Sequence, residues 1–144
     1  PRAMTHPGLL HLYVHLMEMS PFPERALKAA DVLRTIVPDA GHLVHMPTHI
    51  DVLCGHYENV VRWNEAAVLA DEKFWREKGA FNIYTGYRLH NYHFVIYGAM
   101  FLGQMQPALD AVREDAEAAF LASQEHQRPG GRHPADRRFR AQPA

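Results

Sequence analysis

Apolar residues recur along this chain at the spacing of α-helices. Leu9, Leu10, Tyr13, Val14 and Met17 fall three and four apart, which predicts a helix over about 8–19. Ser20-Pro21-Phe22-Pro23 ends it, because prolines punctuate a helical pattern. An Ala- and Leu-rich stretch over 24–37 predicts a second helix, closed by Pro38-Asp39. The third covers 41–54 and contains Pro47. Proline removes a backbone donor and clashes with the preceding turn, so a kink or a restart is expected there. After the Gly55-His56-Tyr57 turn comes a strongly amphipathic helix over 58–75. A link over 77–86, with two glycines, leads to helices over 87–102 and 107–123, which Gly103-Gln104-Met105-Gln106 separates. From Gln127 onward almost nothing apolar remains to bury, so 127–144 is expected to be a disordered basic tail. The expected fold is all-α, in one domain over 1–126.

Six helices in three pairs invite a search for a repeat. The small residue early in each second helix is Ala26, Val60 and Ala108. The first interval is 34 residues; the second is 48, longer by 14 residues that fall in the 77–86 link. Gly55 and Gly103 each stand five residues before their anchor, and Pro38 stands twelve after Ala26.

A helix–turn–helix unit of 34 residues resembles the tetratricopeptide repeat (TPR), and Gly55-His56-Tyr57-Glu58-Asn59-Val60 is similar to that family's Gly-x-Tyr-x-x-Ala turn. Departures are visible: Met105 replaces the tyrosine in the last copy, Pro21 replaces glycine in the first, and Val14, Thr48 and Ile96 occupy the small position of the first helices. The chain also resembles a group of bacterial TPR-like proteins carrying His-Met-Pro-x-His-Ile and His-Asn-x-His-Phe stretches. The resemblance implies three antiparallel hairpins, over about 8–38, 41–75 and 87–123, stacked as a short right-handed solenoid. Such a solenoid has its first helices along a concave wall.

Histidine is the compositional outlier, at 11 residues. His11, His45 and His93 stand fifteen residues before the three anchors, one per repeat. His15, His49 and Tyr97 stand eleven before, and His42 and His90 eighteen before. Helical spacing alone makes stripes of them. The resemblance implies that stacking gathers them, with Glu18, on the concave wall.

Neutral imidazole is the commonest transition-metal ligand, and a histidine pair at i, i+4 holds one ion from a helix face. His11/His15 and His45/His49 have that spacing. Nitrogen ligation without thiolate suits copper, zinc or iron and disfavours calcium and magnesium. The expected metal ligands are therefore His11, His15, His42, His45, His49, His90 and His93. Glu18 is a candidate ligand, ligand partner or general base, and Tyr97 a candidate ligand or proton donor. In an enzyme these two would handle protons while the ion activated water or dioxygen, in hydrolysis or oxidation. Asn91 and Tyr92 are candidate supports, and Phe81, Tyr84 and Tyr87 a candidate lid. Two other readings stand beside this one: half-buried structural histidines bonded to neighbouring polar groups, and a non-catalytic groove for a peptide or small molecule.

The remaining features exclude function classes. A formal net charge of -1 argues against an electrostatic nucleic-acid binder. The single cysteine, Cys54, rules out an internal disulfide and a cysteine-rich zinc site, and is expected to be a small core residue. No apolar run reaches the roughly 18 residues of a membrane span, and no signal peptide is visible, so a cytoplasmic location is the default expectation. The first residue is Pro1 rather than methionine, so the chain is expected to be a piece of something longer. No polar capping helix is obvious, so neighbouring repeats on that longer chain, or else self-association, are expected.

Overall fold

A computed structural model describes residues 5–127, and every regular element among them is helical. The order is α1 (Pro7–Glu18), a 3-10 turn (Pro23–Ala26), α2 (Leu27–Ile36), α3 (Gly41–His45), α4 (Pro47–Cys54), α5 (Tyr57–Lys78), α6 (Ile83–Phe101) and α7 (Met105–His126). Among the described residues, no helix is long and apolar enough to cross a membrane. Apart from Gln127, the expected basic tail lies outside the described residues.

Local chemistry explains the boundaries. His6 caps α1, its Nδ1 accepting from the Leu9 amide at 3.3 Å, and Pro7 opens the first turn. The predicted third helix is indeed divided at Pro47, where the chain restarts as α4. Met46 keeps helical dihedrals (φ -50°, ψ -40°), so α3 and α4 follow one another with only the hydrogen-bond ladder interrupted. Gly55 ends α4 in the left-handed region at φ 77°, and the next amide, of His56, reaches back to the Asp51 carbonyl at 2.8 Å.

The expected 77–86 link is shorter than its sequence suggested. Helix α5 runs on to Lys78, and α6 begins at Ile83. Asn82 supplies the reason: its side chain accepts from the Tyr84 amide, and Thr85 returns the favour to the Asn82 amide, a capping box that starts α6 early. Glu125 on α7 accepts from the Ala80 and Phe81 amides and pins what remains of the link. Most of the inserted length thus became helix, and no long lid results. Phe81 packs on His126 and Tyr84 on Phe74, while Tyr87 reaches the histidines.

Two apolar cores form, and they share no residue. Leu10, Val14, Ala26, Ala29, Leu33, Met46 and Ile50 unite α1, α2 and α4. Val61, Val68, Tyr92, Val95, Ala99 and Ala111 unite α5, α6 and α7. Cys54 and Met17 pack at the edge of the first core. Each core is rich in small alanines, which let helices approach closely. Packing contacts join α1 to α2 and α4, α3 and α4 to α5, α5 to α6, and α6 to α7. Helix α3 also touches α6. Between the two cores α3 and α4 pack closely on α5, where Val44, Val60 and Ala67 are buried beside Thr48 and Asn64, and the histidines lie next to this junction.

Candidate metal centre

Helix α1 presents His11, His15 and Glu18 at spacings of four and three, hence on one face. Helix α3 supplies His42 and His45, α4 supplies His49, and α6 supplies His90 with Phe94 one turn later. Packing of α1 and α6 against the α3–α4 pair gathers these side chains into two adjoining groups. In each, one nitrogen per ring lies within 4.8 Å of the others: His11, His15 and His42 form the outer group, and His45, His49 and His90 the inner one.

Within the groups the nitrogens face each other closely. Nε2 of His45 is 2.9 Å from Nε2 of His49, and Nε2 of His11 is 3.1 Å from Nε2 of His42. Phe94 packs against His45, His49 and His90, with ring centroids 4.7, 4.8 and 4.9 Å away. Tyr87 covers His42 at 4.6 Å. The groups adjoin where His42 stacks on His45 (6.2 Å) and His15 approaches His49 (6.5 Å).

The hydrogen-bond network assigns the inner tautomers. The amide nitrogen of Asn64 donates to the Val60 carbonyl at 2.7 Å and to Thr48 Oγ1 at 3.0 Å. The Thr48 hydroxyl itself donates to the His45 carbonyl. The Asn64 oxygen is therefore left as an acceptor, 2.6 Å from Nδ1 of His45. Nδ1 of His45 must carry the proton, and its Nε2 is bare. Glu18 does the same on the other side. Its Oε2 lies 2.6 Å from Nδ1 of His49 and its Oε1 2.7 Å from Nδ1 of His15. Both rings donate through Nδ1 and turn Nε2 away from the carboxylate. In the neutral state, then, two bare lone pairs meet 2.9 Å apart at His45 and His49. That contact is repulsive unless a cation, proton or metal, lies between them.

The surroundings disfavour the proton. Burial lowers His45 to about 3, against the help of Asn64, and the neighbouring imidazoles push the same way. His42 falls to about 4, first by burial and then by the nearby rings of His11, His15, His49 and His90. Burial also lowers His49, with Glu18 opposing. His11 and His90 shift down for the same principal reason. Imidazoles held neutral are imidazoles ready to ligate. A histidine that hands its second nitrogen to a carboxylate or amide oxygen is the usual arrangement of a metal ligand. The donor set fits a transition metal: two nitrogens bound to one ion at about 2.0–2.1 Å, at near-right to tetrahedral angles, are about 2.9–3.4 Å apart.

Two expected site residues stand elsewhere. The His93 side chain is 61% exposed, and its Nε2 lies 3.4 Å from Asp115 on α7. Three residues past His90, it sits about 60° around the helix, toward α7 rather than α3. Tyr97 is exposed, against Phe101; two turns beyond His90, it is about 10 Å further along the axis. Asn91 is buried and donates to Asp71, and the Tyr92 hydroxyl accepts from Arg88, so both brace α6. Sequence reasoning missed Asn64 and Phe94. Asn64 had a signal: it interrupts the apolar stripe of α5 between Val60 and Ala67.

Compared with known protein families, curated proteins and solved structures, the chain matches none.

Proposed function

We propose that this chain binds a transition metal ion, copper, zinc or iron, through its clustered histidines. The observation that carries the reading is the His45–His49 pair, whose facing nitrogens are stripped of protons by Asn64 and Glu18 and stand at coordination distance. His90 is the third donor of this inner group. Bound there, an ion would supply Lewis-acid or redox chemistry. The chain's own residues hold the rings neutral, orient their lone pairs and pack them against Phe94. The TPR-like arrangement remains part of the reading. Its support is that α1, α3–α4 and α6, the first helices of the three sequence repeats, supply every histidine of the two groups.

Untagged protein, purified and analysed for metal, tests the proposal. Stoichiometric copper, zinc or iron is expected, and His49→Ala should abolish its retention while the helical circular dichroism signal persists. Absence of stoichiometric metal after incubation with each ion overturns the reading. Peptide or small-molecule binding that survives chelator would then favour a non-catalytic binding module.

A further inference from the structure

The outer group is separate from the inner one: the ring nitrogens gather within 4.8 Å of one another as His11, His15 and His42 and as His45, His49 and His90. The two groups meet at wider ring contacts, 6.2 Å between His42 and His45 and 6.5 Å between His15 and His49. The outer group is built partly alike. His11 and His42 face each other through Nε2 at 3.1 Å, and Glu18 takes Nδ1 of His15 as it takes Nδ1 of His49, while Nδ1 of His42 is buried with no partner. His11 and His15 meet edge to face at 4.6 Å.

Charge adds a second observation. Glu18 is the only carboxylate in contact with either group among the described residues. It is already committed to two imidazoles. Asp115 is spent on His93, and Asp51 on Arg34. Two divalent ions would place four positive charges beside one negative one, in a site partly closed off from water by Phe94 and Tyr87. Uncompensated charge in such surroundings is costly, and an anion entering from solvent relieves it. The outer edge provides the way in, because the His15 side chain is 42% exposed.

We propose, resting on the metal-binding reading above, that His11, His15 and His42 hold a second ion, and that the resulting two-ion centre takes a small oxyanion or hydroxide as its ligand. Glu18 joins the two ligand sets from behind, as a positioning residue rather than a ligand.

The test uses the untagged full chain loaded with cobalt(II) and freed of loose metal on a chelating resin. About two equivalents are expected, as for other two-metal sites, and inorganic phosphate or azide should shift the visible cobalt bands. In the His11→Ala/His15→Ala double variant, about one equivalent should remain and the anion response should vanish. The single variant His11→Asn, close to the surface, gives the same readout should the double variant fold poorly. One equivalent in the parent, unchanged by the outer variants and lost with His49→Ala, overturns the two-ion centre but leaves metal binding standing. Two equivalents with no anion response overturn the anion site. No bound cobalt at all overturns the metal-binding reading itself.

Discussion

At the scale of single residues, the site depends on groups that never touch an ion. Asn64 decides which nitrogen of His45 is bare, since its amide nitrogen is already committed to Val60 and Thr48. Replacing it with leucine leaves the Nδ1–H of His45 buried and unpartnered. Asn64→Leu should lower stability by about 1–3 kcal/mol and weaken metal binding by roughly 10- to 100-fold, read by urea denaturation and by competition with a chelator. The seven histidines of the stripes were legible in the sequence because i, i+3 and i, i+4 spacing places rings on one face whatever the fold. Which face of α6 turns inward was not legible. Register alone set His93 in a row with His11 and His45, but the rotation of α6 aims His90 and Phe94 at the cluster instead. Asn64 was passed over because an asparagine in a charged amphipathic helix looks like surface until its place on the buried stripe is counted.

At the scale of elements, α3 is the most constrained piece. It is five residues long and supplies His42 and His45, and it lies directly on α5. Gly41 makes that possible. A β-carbon there would overlap the carboxylate of Asp71 and crowd the Ala67 carbonyl. Gly41→Ala should therefore push α3 away from α5, costing about 1–3 kcal/mol as in other overpacked sites; a urea midpoint that does not fall would refute this account. The same displacement should loosen His45 from Asn64. Helix positions were well read from periodicity, and Pro47 correctly marked a restart. The insertion was misread because Gly79 and Gly86 suggested a loop. In the structure only Gly79 breaks the chain, at φ 87°, while Asn82 nucleates α6 and Gly86 lies within it.

Across the whole molecule, the histidines govern how stability depends on pH. The unfolded chain takes up protons near the ordinary imidazole value of 6.5, whereas the folded chain resists them until about 4 at His42 and about 3 at His45. Folded groups with depressed values contribute fully above the unfolded value and lose that contribution on acidification. Asp71 opposes the trend. Burial, only partly countered by Arg88 and Asn91, raises it to about 6, so its protonated form favours the fold as pH falls. Burial and Glu114 raise Glu65 as well, but two carboxyls against five lowered histidines leave the sum negative. The metal-free protein should unfold at markedly lower urea at pH 5 than at pH 7.5; an unchanged or higher midpoint would contradict the described burial. The all-helical class was legible in the sequence. The division into two cores was not, because an evenly repeated apolar pattern does not reveal where large side chains give way to a seam.

That seam bears on how the protein melts. The core of α1, α2 and α4 and the core of α5, α6 and α7 have no residue in common, and the junction includes His45 against Asn64 and the rings of His45 and His49 against His90 and Phe94. Parts of a fold with separate cores can open as units of unequal stability. An ion bound by His45, His49 and His90 would bridge α3, α4 and α6 and tie the two units into one cooperative unit. Calorimetry should then find a van't Hoff enthalpy below the calorimetric one in the metal-free chain and the two equal in the loaded chain. The metal, in that sense, would set the number of folding units as well as their stability.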